Sequence, residues 1–177
     1  MIIGMAGRAG AGKTTCADYL VSKGFIKDAY AKTMKEAAAV LFGVPIETLL
    51  GDITVKSKID PFWGVSYRVL LQQFGTEACR NTFGPDFWVK VLWRRYEGLV
   101  PNLVIEDVRF PNEAEAILQR GGVVIEVLRG APEVAQGVIH SSEIPLPGSL
   151  VTQYVVNAGS REQLYQQLDP YKEHIGK

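Results

Sequence analysis

A chain of 177 residues, 47% hydrophobic and 21% charged, is long enough to bury a core and too apolar to stay disordered. Nineteen Lys and Arg balance nineteen Asp and Glu, so composition gives no support to binding a nucleic-acid backbone. The absence of any apolar run of about 18 residues predicts no membrane span, and the widely spaced Cys16 and Cys79 with only two histidines speak against a disulfide scaffold or a zinc site. The start MIIGMAGRAG lacks the basic segment and long apolar run of a secretion signal, and the expected setting is the cytoplasm.

Residues 1–6 form an apolar run ending in small residues and predict a buried strand. A helix over 13–22, stopped by Gly24, follows it. Residues 25–31 predict a second strand, and 32–42 a helix with Met34, Ala37, Ala38 and Leu41 at helical spacing. Pro45, Gly51, Pro61 and Gly64 make 44–64 irregular, with room for one short helix. Residues 67–83 predict a helix with Leu70, Leu71, Phe74 and Ala78 on one face, and 86–98 another, N-capped by Asp86. The segment LVIED, 103–107, predicts a buried strand ending in an acid. Residues 111–119 open with Pro111 and predict a helix, and 123–128 a fourth strand. A Pro- and Gly-bearing loop covers 130–149, then a last strand over 153–156 and a last helix over 160–168.

Five strands alternating with helices predict an α/β three-layer fold, a five-stranded parallel sheet with helices on both faces. The long gap between the second strand and LVIED exceeds one crossover helix and predicts an inserted helical lobe. The expected organisation is a single domain over 1–177: a core of 1–31 and 101–177, a lobe over about 32–100, and a lid loop over about 129–149.

The sharpest motif is Gly7-Arg8-Ala9-Gly10-Ala11-Gly12-Lys13-Thr14, which fits G-x-x-x-x-G-K-[ST] between a predicted strand and a predicted helix. Glycines let successive backbone N–H groups turn inward around phosphate oxygens, and the helix N-terminus adds positive potential there. Lys13 is the candidate bridge between β- and γ-phosphates, and Thr14 the candidate ligand, together with waters, of Mg²⁺. Gly7, Arg8, Gly10, Ala11, Gly12 and Thr15 complete the expected ATP site, with Arg129 as a lid cation. No NKxD or DxxG segment marks a GTPase and no LSGGQ-like segment marks a transport ATPase, which leaves a small-molecule kinase as the favoured class.

At the strand end, Asp107 and Arg109 are expected to face the same crevice as the phosphate loop. Asp107 can hold Mg²⁺ through water or accept a substrate hydroxyl. Arg109 can clamp a phosphate or neutralise a transferring phosphoryl group. The competing reading is an ion pair of Arg109 with Asp107 or Glu113 that only shapes the turn. Arg68, Gln72 and Thr76 recur every four residues, Arg80 extends the series and Gly75 permits close approach; a substrate face and a solvated face both fit that pattern. Trp88 can stack on a base, although its apolar helix makes packing the default. Lys32 and Lys35 can meet an anionic acceptor or be plain surface. His140-Ser141-Ser142-Glu143 lies in the lid and reads as a loop turn before it reads as catalytic.

These segments resemble the phage deoxynucleoside monophosphate kinase family: GRAGAGKTT, AKTMKEAAAVLFG, VLLQQFGTEACR followed by Asp86-Phe87-Trp88, DVRFPNEAEAI, HSSE and YVVNAGSREQL, in order over nearly the whole chain. The resemblance implies a P-loop kinase core of nucleoside-monophosphate-kinase type, a helical acceptor lobe and a short lid. It implies ATP as donor with Mg²⁺ and a deoxynucleoside monophosphate as acceptor. It also implies Lys13, Asp107 and Arg109 at the chemistry, and Lys32, Arg68, Gln72, Gly75, Thr76, Arg80, Trp88 and Glu113 on the acceptor side. One departure is Asn157-Ala158-Gly159, where relatives often carry an acid after the asparagine. The expected partners are small molecules, with no nucleic acid and no membrane, and a homodimer is compatible with the sequence. Other small-metabolite kinases, phosphomevalonate-like or dephospho-coenzyme A-like, and a non-catalytic ATP-binding module are the alternative readings.

Overall fold

A computed structural model describes residues 1–99, 101–130 and 144–174, with 172–174 described by backbone alone. Segments too short for helices make five strands, β1 (Ile2–Ala6), β2 (Ile26–Asp28), β3 (Leu103–Ile105), β4 (Val123–Leu128) and β5 (Gln153–Val156), apolar in the middle of the sheet and mixed at its edges. Their order in the sheet is β2-β3-β1-β4-β5 and every neighbouring pair is parallel. The central strands are buried on both faces, which explains their near-continuous apolar sequence.

On one face Ile3, Met5, Val104, Ile125, Val127 and Val155 pack with Cys16, Ala17 and Leu20 of α1 (Lys13–Val21) and Leu164 of α9 (Arg161–Gln166). The other face receives α8 (Pro111–Leu118): a Cβ at Gly4 would stand 2.5 Å from Ile117 Cδ1. Helices therefore cover both faces, as the alternating sequence predicts.

The contacts divide the chain into two units, one of 1–29 and 96–174 among the described residues, the other Tyr30–Arg95. The second is all helical: α2 (Tyr30–Phe42), α3 (Ile46–Leu50), α4 (Ile53–Lys56), α5 (Tyr67–Gln72), a π-helix (Gln73–Arg80), α6 (Asn81–Phe83) and α7 (Phe87–Arg95). Ala38, Val44, Leu49 and Leu71 form its own buried cluster, with Met34, Phe42, Ile46, Tyr67 and Phe74 packed against it. Trp63 joins this unit by donating its indole N–H to the Phe42 carbonyl at 3.0 Å.

The structure corrects several boundaries. The second strand stops at Asp28, whose carboxylate accepts the Ala29 N–H at 2.8 Å and turns the chain into α2 at Tyr30. β3 ends at Ile105, so Glu106 and Asp107 lie in the turn after it, although the Glu106 N–H still reaches the Asp28 carbonyl at 3.0 Å. The irregular 44–64 stretch holds two short helices, α3 and α4, the second N-capped by Asp52 accepting from the Val55 N–H at 3.0 Å. The 67–83 helix is continuous, yet its middle is wound as a π-helix. Among the described residues no helix is long and apolar enough to cross a membrane.

Candidate functional site

In the first unit, the loop after β1 is shaped by two glycines that no other residue could replace without strain. Gly7 has φ 127°, and a Cβ on it would stand 2.5 Å from the Val127 carbonyl oxygen. Gly12 has φ 109°, and its Cβ would stand 2.5 Å from Asn157 Nδ2. The loop closes on itself through the Ala11 N–H to the Arg8 carbonyl at 3.2 Å. Two side chains from the turns after β4 and β5 then hold it: Asn157 Nδ2 donates to the Ala11 carbonyl at 2.8 Å, and Arg129 Nη1 to the Gly10 carbonyl at 3.1 Å.

Helix α1 begins at Lys13 with Gly12 at its N-cap. Gly12 has no side chain to offer the first-turn N–H groups, which keep their capacity for an anion. Lys13 Nζ folds over the loop and donates to the carbonyls of Gly7 at 2.7 Å and Arg8 at 2.8 Å. Thr14 is exposed and Thr15 half-buried in the same turn. Lys13, Thr14, Gly10, Gly12 and Arg129 are thus brought to one loop.

Beside it opens a small cavity whose lining includes Gly7, Arg8, Arg109, Glu126 and Leu146. Arg109 therefore does share a crevice with the start of the phosphate loop. Asp107 stands half-buried in the preceding turn and is not part of that lining. Glu113 is 2% exposed, and its Oε2 accepts the N–H groups of Arg109 at 2.8 Å and Phe110 at 3.1 Å. That is the backward reach of an N3 glutamate at a helix start, with Pro111 fixing the first turn. Glu113 shapes the turn that presents Arg109, through backbone groups.

In the second unit the polar series splits by exposure. Lys32, Arg68 and Gln72 are exposed, whereas Thr76 and Arg80 are half-buried. Within the π-helix each turn takes up more than the α-helical number of residues, so the inward position slips. Gly75 and Cys79 are buried, while Ala78, expected inside, is exposed. Gly75 sits against Met34, whose Sδ a Cβ would strike. Its carbonyl accepts the Trp88 indole N–H at 2.9 Å. Trp88 is 5% exposed, with ring centroids 4.8 Å from Phe87 and 6.1 Å from Phe74. In this structure Trp88 packs and ties α7 to the π-helix, and its ring offers no open face for stacking on a base.

Sequence reading passed over Asn157 as a support for the loop and Glu126 as a cavity residue. No local signal links Asn157 to Ala11, which is 146 residues away. Glu126 did leave a signal, a lone acid inside the apolar strand VVIEVL. Burial raises the Glu126 carboxyl above the usual range, and pushes the Cys16 thiol up to about 11. The expected lid residues His140, Ser141, Ser142 and Glu143 lie outside the described residues, as does most of the 129–149 loop.

With this geometry in place, likeness to known proteins narrows the chemistry. A family model described as Deoxynucleotide monophosphate kinase matches residues 48–168. A protein of Acanthamoeba polyphaga mimivirus named for the same activity is 34% identical, over 95% of this chain and 94% of its own length. The deoxynucleotide monophosphate kinase of Escherichia phage RB69 is 30% identical over 64% of this chain, which spans only 46% of that larger protein. The crystal structure of TT1252 from Thermus thermophilus superposes with a TM-score of 0.53, over 100% of this chain and 98% of that one; at 18% identity this likeness is one of fold.

Proposed function

The chain belongs to the deoxynucleotide monophosphate kinase family, and from that premise we propose that it transfers the γ-phosphoryl group of ATP to a deoxynucleoside monophosphate, giving ADP and the deoxynucleoside diphosphate. The observation that carries the reading is the glycine-shaped loop with Lys13 folded over it and Arg109 lining the cavity at its start.

The loop N–H groups and the start of α1 receive the donor phosphates. Lys13 exchanges its two loop carbonyls for phosphate oxygens, a swap of neutral acceptors for charged ones that strengthens each bond. Arg109, held by the Glu113 cap, neutralises charge on the transferring group, and Arg8 adds a second cation beside it. Asn157 and Arg129 keep the loop in shape through its carbonyls, leaving its N–H groups for phosphate. Asp107 accepts from the attacking acceptor group or from water. On the second unit, exposed Arg68 and Gln72 and half-buried Arg80 and Thr76 are the acceptor-binding group, with Lys32 as a further cation. Gly75 and Trp88 act one step behind it, by fixing the π-helix that presents these side chains.

The oxygen donors at Thr14 and Asp107 are hard ligands that suit Mg²⁺, which keeps most of its waters and binds with substrate phosphates. When bound, it would screen the phosphate charge. Localisation in the cytoplasm agrees with buried, unpaired Cys16 and Cys79.

The test is ADP release from Mg-ATP against dAMP, dGMP, dCMP, dTMP, their ribose counterparts and phosphomevalonate. Stimulation by one or more deoxynucleotides is expected. Stimulation by phosphomevalonate alone would move the chain to another acceptor, and ATP binding with no acceptor dependence would make it a binding module. Arg68→Ala and Arg109→Ala should raise the acceptor KM or lower kcat while the variants stay folded; wild-type kinetics in both would misplace the acceptor group.

A further inference from the structure

Glu126 stands out from every other acid of the first unit. It lies on β4 between Ala6 of β1 and Tyr154 of β5, in register with both. Its strand neighbours Ile125 and Val127 face α1 and α9 in the core, so its side chain points to the opposite face, the α8 side. There it lines the cavity that holds Gly7, Arg8 and Arg109, and only 9% of its surface is exposed. Among the described residues its carboxylate has neither a hydrogen bond nor an ion pair. An acid buried without a partner is costly, and such groups are retained where an electrostatic task depends on them.

We propose that Glu126 is a specificity-determining residue of this cavity: its carboxylate offsets the charge of Arg8 and Arg109 and weakens the hold on small free anions such as sulfate or inorganic phosphate. A phosphoryl group anchored at its nucleotide end gains binding energy elsewhere and overcomes the same opposition, whereas a free anion has no such anchor. The inference rests on reading the cavity as a phosphoryl site. It adds that the site contains its own repulsive element, in the same lining as two cations.

Among the described residues, four titratable or charged groups bear on Glu126. Arg8 comes from the loop after β1 and Arg109 from the turn before α8, both in the same lining. Tyr154 lies beside it on β5, and Glu113 of α8 has its carboxylate engaged by two N–H groups. Sulfate is the probe, because its charge does not change across the neutral range.

In calorimetric titrations, Glu126→Gln should bind sulfate about tenfold more tightly than wild type, the order expected for one like charge removed from the same cavity lining. Glu126→Asp, which keeps the charge, should stay near wild type. Adding Arg109→Ala to Glu126→Gln should cancel the gain. Unchanged or weaker sulfate binding in Glu126→Gln overturns the proposal, and so does a gain that survives the loss of Arg109, which would put the sulfate on the phosphate loop. If Glu126→Gln does not fold, the wild-type protein answers alone. An anion beside Glu126 raises its proton affinity, so sulfate binding on the acid side of neutrality should take up protons, seen as a buffer-dependent heat; no uptake anywhere in that range overturns the proposal. None of these readouts uses an acceptor nucleotide. A sulfate effect without turnover would leave the cavity electrostatics standing and remove the kinase reading, and turnover without a sulfate effect would do the reverse.

Discussion

Gly12 shows how closely the phosphate loop is specified. Its φ of 109° is a conformation that side chains rarely adopt, and Asn157 already occupies the space a Cβ would take. Gly12→Ala should therefore cost about 1–3 kcal/mol of stability and weaken ATP binding, because the Asn157 support of Ala11 has to shift; equal nucleotide affinity in the variant would contradict that coupling. Cys16 gives a prediction with a pH sign. It is fully buried, and its thiol rises from an ordinary 9.0 to about 11. The folded state keeps a proton that the unfolded chain has lost above pH 9.0. The corresponding stability is complete below that pH and disappears as pH rises through about 11. The loss amounts to about 3 kcal/mol over that window. Urea melts at pH 8 and pH 10.5 measure it, and Cys16→Ala should show a flatter dependence. At this scale the sequence is legible where a motif is contiguous, as for Gly7, Gly12, Lys13 and Thr14. It is silent where a side chain crosses the fold, because the approach of Asn157 to Ala11 is set by the sheet and by nothing in the intervening residues.

The elements of the sheet are readable because a buried parallel strand has to be a short apolar run, and β1, β3 and β4 lie where such runs lie. The edge strand β2 stops at Asp28, which turns the chain by capping Ala29, and β3 keeps to the three apolar residues of LVIED, with the two acids in the turn after it. The π-helix escapes the reading for a different reason. Its spacing is indistinguishable from an α-helix in composition, and only tertiary packing reveals that Gly75 and Cys79 are buried while Ala78 is exposed. Trp88 reports on that packing. Trp88→Phe keeps an aromatic ring but leaves the Gly75 carbonyl without its donor inside the lobe, at a cost of about 1–3 kcal/mol. Denaturant titration should show that loss, while kcat/KM for the acceptor stays within about twofold at a temperature where the variant is folded. A large rise in acceptor KM at unchanged stability would return Trp88 to a stacking role.

At the scale of the molecule, the chain leaves the first unit at Ala29 and returns at Tyr96, and Tyr96 donates its hydroxyl to the same Asp28 at 2.8 Å, so one buried carboxylate fixes both crossings. The helical insertion was legible as a gap between strands too long for one crossover. Its function was not, since an exposed Arg68 and Gln72 look alike on a solvated and on a substrate-binding face. Ligand linkage separates folding from chemistry across the whole chain. A nucleotide that binds only the folded state stabilises it by about 2.7 kcal/mol when present at about a hundredfold its Kd. For a chain of this length that is a rise in Tm of roughly 5–10 °C. Lys13→Ala removes the ammonium that would meet the phosphates and, in the free protein, its bonds to the Gly7 and Arg8 carbonyls at a partly exposed position. Its Tm without nucleotide should accordingly stay within about 2 °C of wild type, while the rise with ATP shrinks severalfold and turnover is abolished. Scanning calorimetry with and without ATP measures both. A variant that keeps the full nucleotide-dependent rise, or that turns over at the wild-type rate, would show that the donor phosphates bind elsewhere than at the start of α1.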